Sequence, residues 1–240
     1  MCVSSASPYP AGGTHLQQLY WNLAFNLMWC CANLVKITDK ANNVISLEFN
    51  RGQRWIYWNM QDMDELGLPE RLWILKGRQF GVSTMMTAIN TIRAIRGGGL
   101  NALMLVHKES VGKTMFQKVE RVLKGLPKVR HNNSSISLAP KPTTHHTGDI
   151  ISWNTPHLNA LIKRESGENV DAGVSETYQL AHLTEVPLWK DAHHTMAGFL
   201  PTMAHKQGTS IVGEFTARNE GDYAHDIWKA DQLEVLSGKM

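Results

Sequence analysis

The sequence predicts an α/β fold, with a mostly parallel β-sheet flanked by helices on both faces. Three observations carry that prediction. From about residue 71 onward, short apolar runs alternate with stretches of helical periodicity, the pattern of strands joined by crossover helices. Several of the runs, 72–75 and 101–106 among them, are apolar throughout rather than alternating, as strands buried on both faces are. The turns 76–83, 107–109, 184–186 and 215–220 carry the chemistry-bearing residues and come after strands, where such sheets bind ligands.

Residues 1–14, rich in Ser, Pro and Gly, read as a flexible arm. Residues 15–34 read as a helix whose Leu, Trp and Phe residues are interrupted by Gln17, Gln18, Asn22, Asn26 and Asn33. A membrane span wants about 20 mostly apolar residues, so this is a packed or interfacial helix. Thr38 to Asn43 is a turn, Val44 to Phe49 a short strand, and Gln53 to Glu65 a helix ended near Gly67 and Pro69. Then come a strand at 72–75, a helix at 83–96 closed by three glycines, a strand at 101–106, and a helix at 109–124 closed by Gly125 and Pro127. His107-Lys108-Glu109-Ser110 reads as that helix's start, capped by Ser110 or Glu109. Residues 131–157 are polar and irregular, with short strands near 136–138 and 149–153. Strands at 158–163, 178–183 and 209–215 and helices at 191–205 and 222–232 complete the chain.

Composition bounds the rest. The 240 residues are 42% hydrophobic and 19% charged, which allows a full core and excludes wholesale disorder. A net charge of +3 neither demands nor opposes a nucleic-acid partner. Cys2, Cys30 and Cys31 form no metal pattern, and their adjacency favours a reducing compartment. No signal peptide is expected. His145-His146 and His193-His194 lack ligand partners at metal spacing, so no zinc site is expected. Lys113, Lys118, Arg121, Lys124, Lys128 and Arg130 form a basic scatter that would track a phosphate backbone or make a solvated face. Trp55, Trp58 and Trp73 are expected to pack near the sheet.

The most informative segment is 71–86. Its apolar strand stops at Lys76-Gly77-Arg78-Gln79-Phe80-Gly81, then Val82-Ser83-Thr84 opens a helix. This is the layout of a phosphate-binding loop, whose usual form is G-x-x-x-x-G-K-[ST]. Aligning Gly81 with the second glycine puts Ser83 on the Mg²⁺-binding hydroxyl, Lys76 on the first glycine and Val82 on the lysine. The strict motif fails, but the helix start still points free N–H groups and a positive dipole end at an anion, and Lys76 or Arg78 can replace the missing charge. A second segment, Tyr178 to Trp189, is a strand ending in Glu185, where nucleotide hydrolases place the carboxylate that polarises water. Its neighbour is Thr184 rather than an aspartate.

Together, Lys76 to Thr84 and His182 to Trp189 resemble the deviant Walker A and Walker B motifs of phage terminase large subunits, the ATPase motors that package viral DNA. In one branch of that family the loop reads Arg-Gln-x-Gly-[Ile/Val/Phe]-Ser/Thr, and the acidic strand ends in Ser-Glu or Thr-Glu before a Trp. Leu47 to Arg54 looks like the segment whose glutamine reads adenine. Glu214-Phe215-Thr216-Ala217-Arg218-Asn219 looks like the coupling motif, usually Glu-Ser-Thr-Ala-Asn-Gly. The motifs keep their order from about residue 30 to 232.

The resemblance implies a P-loop NTPase fold of the RecA/ASCE type over 15–240, with an adenine-binding lead-in over 15–70 and a nucleotide-binding core over 71–232. It implies ATP and Mg²⁺ as cofactors. Gln53 would recognise adenine. Gly77, Gln79, Gly81, Val82, Ser83 and Thr84 would cradle the phosphates, with Ser83 also on Mg²⁺. Lys76 or Arg78 would neutralise the β- and γ-phosphates, and Glu185 would orient the attacking water. Thr216 and Ala217 would couple nucleotide state to movement. The implied partners are double-stranded DNA, a portal protein, a small terminase subunit and further copies of the chain in a ring. The implied location is the bacterial host cytoplasm and, transiently, the procapsid, with no membrane contact. Val174 stands where relatives tend to carry an arginine, and Phe215 and Arg218 depart from the coupling motif, which keeps a catalytically impaired prophage remnant as an alternative. A helicase-like translocase is another. The chain stops soon after the coupling motif, so no C-terminal nuclease domain and no DNA cleavage are expected.

Overall fold

The computed structural model describes residues 26–96, 99–131, 134–143, 145–216 and 220–236. The arm at 1–14, the first part of the predicted helix at 15–34, Cys2, Gly97, Gly98 and the coupling positions Ala217, Arg218 and Asn219 lie outside those residues.

Helix α1 (Leu27–Leu34) starts at Asn26, whose side chain accepts from the Trp29 N–H. Strands β1 (Lys36–Thr38) and β2 (Val44–Ser46) form a small antiparallel ribbon around the predicted turn at 38–43. There Asp39 accepts from the Ala41 and Asn43 N–H groups. The strand expected at 44–49 is thus shorter than its apolar pattern, and its partner β1 went unpredicted because three residues show no period. Helix α2 (Arg51–Glu65) opens on a capping box between Asn50 and Gln53. Its buried stripe is Gln53, Ile56, Tyr57 and Met60. Trp55 and Trp58 fall off that stripe at 64% and 52% exposure, so the expectation that they pack near the sheet is corrected.

Strand β3 (Glu70–Leu75) leads through the loop to α3 (Val82–Ile95). Then come β4 (Asn101–Val106) and α4 (Glu109–Gly125). A ribbon of β5 (Lys128–His131) and β6 (Ser134–Ser137) precedes β7 (His145–His146), β8 (Ile150–Thr155) and β9 (Leu158–Ser166). The last elements are β10 (Leu180–Thr184), α5 (Ala192–Phe199), β11 (Ser210–Phe215) and α6 (Tyr223–Leu236). The helix expected over 191–205 stops at Phe199, where Pro201 sits in a 3-10 turn at Leu200–Thr202. The start of α4 is capped from a distance, the Glu109 N–H donating to Glu168 Oε2, rather than by Ser110 or Glu109.

The main sheet has seven strands in the order β3-β11-β10-β4-β9-β8-β7. The first five are parallel, and β8 and β7 are antiparallel additions. Residues alternate between two covered faces. On one, Ala102, Met104, Val106, Ile162 and Leu180 meet α3 and α4. On the other, Leu103, Leu105, Ala181, Leu183 and Ile211 meet Trp189, Met196 and Phe199. Buried Arg164 on β9 pairs with Glu109 at 2.7 and 2.8 Å and with Asp149, tying the start of α4 to the edge of β8. Trp73 lies against Phe215 and Tyr223, and a Cβ at Gly213 would stand 2.2 Å from its ring. Among the described residues no helix is long and apolar enough to cross a membrane.

Candidate active site

The parallel strands β3, β11 and β10 end side by side, and the segments leaving their carboxyl ends converge. After β3 the loop 76–81 turns sharply. Gln79 has φ 62 and Gly81 has φ 81, both left-handed. At Gly81 a side chain would be strained, and its Cβ would stand 2.8 Å from Gln53 Nε2. Gly81 ends the loop as the N-cap of α3, with no side chain capping it. The first intrahelical bond is Met85 N to Gly81 O, so the N–H groups of Val82, Ser83 and Thr84 precede the ladder. Such a helix start presents free donors and the positive end of the helix dipole.

The lead-in holds that loop in place. Gln53 is buried, takes the Asn50 N–H on Oε1 at 2.9 Å and donates from Nε2 to Gly81 O at 2.9 Å. Asn50 Nδ2 donates to Phe80 O, the Phe80 ring covers Gly52, and Lys40 reaches Gln79. The amide of Gln53 is therefore spent on bracing the loop, and an adenine edge there would compete with Gly81 O for Nε2.

The two candidate cations part company. Arg78 is exposed on the crest of the loop with Gly77. Lys76 turns inward, its side chain 10% exposed, with Nζ 3.5 Å from Glu185 Oε1 and 3.8 Å from Glu214 Oε2. Glu185 comes directly after β10 with φ 49 and ψ 47, a left-handed conformation that strains a glutamate. Its position is set by Glu185 N donating to Glu214 O at 2.7 Å and by Trp189 Nε1 donating to Thr184 O at 3.0 Å. The Glu185 carboxylate accepts from Thr216 N–H and Thr216 Oγ1, both at 3.2 Å. The acid after β10 and the threonine after β11 are in direct contact.

Two residues to which the motifs gave no role of their own, Glu214 and Lys118, lie close by. Glu214 is 1% exposed and accepts at Oε1 from His182 Nε2 at 3.1 Å. Burial pushes the Glu214 carboxyl up, but His182, the facing Ser83 hydroxyl and the Lys76 charge outweigh it and hold its pKa below the usual range. Lys118 of α4 donates to Thr84 Oγ1 at 3.0 Å. Burial lowers its pKa against the opposing pull of Glu214. The signal for the first was available. Glu214 and His182 are ionisable residues inside apolar strand runs, a costly placement without partners. The basic scatter divides: Lys118 and Arg121 reach Thr84 and Thr38, while Lys113 and Lys124 pair with Glu109 and Glu120 on their own helix.

The fold has a counterpart among solved structures. The structure is similar to the HK97 bacteriophage large terminase at a TM-score of 0.60 and 11% identity, over 87% of this chain and 41% of that one. The fold is that of a phage large terminase. The chain thus spans 41% of that terminase's length. A mutant of the Thermus phage P74-26 large terminase ATPase domain is similar at a TM-score of 0.40 and 11% identity, covering 74% of this chain and 73% of that one. No family model and no curated protein sequence matches. Within the terminase fold, the loop after β3 and the acid after β10 are separated by β11, whose Glu214 lies between them.

Proposed function

We propose that this chain is the ATP-hydrolysing motor domain of a viral DNA-packaging terminase, coupling hydrolysis to movement of duplex DNA into a procapsid. The observation that carries the reading is the convergence of Lys76, Glu185 and Thr216 beside the uncapped start of α3. The N–H groups of Val82, Ser83 and Thr84 bind phosphate oxygens. Lys76 supplies the charge that the P-loop lysine supplies elsewhere, from the other end of the loop. Glu185 accepts a hydrogen bond from the attacking water and orients it. Thr216 holds the Glu185 carboxylate by two bonds, so a change at the nucleotide reaches the segment after β11 without an intermediary.

The Ser83 hydroxyl faces the Glu214 carboxylate, and both offer oxygen, the ligand type a hard divalent ion takes, so these residues fit Mg²⁺ with Ser83 as a holder. Bound there with ATP, the ion supplies neutralisation of the phosphate charge. In this reading the partners are double-stranded DNA, a portal protein, a small terminase subunit and further copies of the chain.

The test is ATP turnover by the purified chain, with and without duplex DNA, beside Glu185→Gln. Loss of a water-orienting carboxylate lowers kcat by about 10²–10⁴ with nucleotide affinity kept. Nucleotide binding without turnover in the wild-type chain, even with DNA and partner subunits, would instead favour the impaired remnant that Val174 and Phe215 suggest.

A further inference from the structure

The acid expected beside the catalytic glutamate is missing from β10, and the structure shows what stands in its place. Thr184 occupies the strand position just before Glu185, and its neutral hydroxyl is buried with no hydrogen-bond partner. In the parallel pair of β10 and β11, Thr184 is registered against Glu214. Registered residues in a sheet point to the same face, so the Glu214 side chain emerges beside the absent acid, one strand away at about 4.8 Å. That step is toward the phosphate loop, because β11 lies between β10 and β3 and Glu214 is registered against Ile74.

The two oxygens of Glu214 have different surroundings. Oε1 is fixed by His182, which sits two residues before Thr184 on the same face. A charged carboxylate can only accept, so His182 Nε2 is the donor. Oε2 is buried and has no hydrogen-bond partner. It faces Lys76 at 3.8 Å, and the Ser83 hydroxyl faces the same carboxylate. A buried ionised oxygen without a hydrogen bond is costly unless a cation offsets it. Lys76 is the nearer neighbour of Glu185, at 3.5 Å, so it only partly serves Glu214. A divalent ion held by Ser83 would complete the balance.

We propose that Glu214, carried on β11 and pinned by His182, is the carboxylate on the metal side of this site, in place of an acid at Thr184. The proposal rests on the ATPase reading above and adds the residue that makes its nucleotide binding metal-dependent. His182 is a positioning residue that orients Oε1 and leaves Oε2 toward Lys76.

The experiment titrates Mn²⁺ into the full chain with a non-hydrolysable ATP analogue, read by electron paramagnetic resonance, beside analogue binding in EDTA. In Glu214→Gln the metal affinity of the ternary complex falls about 10–100-fold, while binding in EDTA stays within about twofold. Thr184→Val changes neither. Thr184→Asp combined with Glu214→Gln regains metal affinity, because the charge returns from the neighbouring strand. If Glu214→Gln fails to fold, Glu214→Asp takes its place. It keeps the charge but shortens the reach by one methylene, and it also lowers metal affinity. Wild-type metal affinity in whichever of these two variants folds overturns the assignment and leaves the ATPase reading standing. No analogue binding by the wild-type chain in either condition overturns both.

Discussion

Lys76→Met tests the centre of the site without touching the helix start. The side chain is 10% exposed and faces two carboxylates at 3.5 and 3.8 Å. At an effective dielectric near 20, each such pair is worth about 4 kcal/mol before desolvation, and burying the ammonium offsets several kcal/mol of the sum. Removing one partner of a buried pair costs about 3–5 kcal/mol, because the other charge is left uncompensated. Here neither contact is a short hydrogen bond and the Glu185 side chain keeps 21% exposure. The expected loss is therefore at the low end, about 3 kcal/mol. The pH dependence has a definite sign. Glu214 has a lowered folded pKa, so its contribution to stability is present above the unfolded value and lost as pH falls through the folded one. Lys76 is one of the groups holding that pKa down, so the variant loses most near neutral pH. It approaches the wild type below the ordinary carboxylate value of 4.5, as Glu214 protonates. Urea unfolding of both proteins across that range reads the difference. A penalty that is absent at neutral pH, or that grows toward acid, would refute the placement of Lys76 between the two acids.

The same geometry yields three further expectations. Thr216→Val removes the hydroxyl bond to Glu185 but keeps the N–H bond, so kcat should fall by about 10–100-fold with nucleotide affinity unchanged. An unchanged kcat would remove Thr216 from the coupling path. Gln53→Leu leaves Gly81 O and the Asn50 N–H without their partner, which costs about 1–3 kcal/mol in thermal or urea unfolding and weakens nucleotide binding through the loop. A variant of wild-type stability with weakened binding would instead place Gln53 on the nucleotide itself. Burial pushes the Cys30 thiol up to about 11 and raises Cys31 as well. Both should therefore resist iodoacetamide at neutral pH until the protein is unfolded, as peptide mass spectrometry would show, and rapid labelling of either would mean that α1 is not docked on the core.

Much of this molecule was legible because its strands and helices obey local rules. The apolar run 101–106 is β4 to the residue, and the helix read at 109–124 is α4. The glycine at 81 marked a turn at a helix start, and the structure adds that its backbone there is left-handed. Local rules also failed in identifiable places. Trp55 and Trp58 were expected to pack near the sheet, whereas the helical stripe of α2 leaves them exposed. The paired strand β1 was too short to show a period.

The sequence by itself determined most of the alternation of strands and helices, the glycine turn before α3 and the acid at the end of β10, because each depends on backbone stereochemistry and periodicity within a few residues. Whether Lys76 or Arg78 turns inward, and which carboxylate lies beside Thr184, was decided only by the tertiary structure. Both answers depend on the strand order β3-β11-β10, which sets Glu214 between the loop and Glu185. Spacing along a chain does not encode which strands become neighbours. That arises from packing two apolar faces at once, and it brings together charges that the sequence holds far apart.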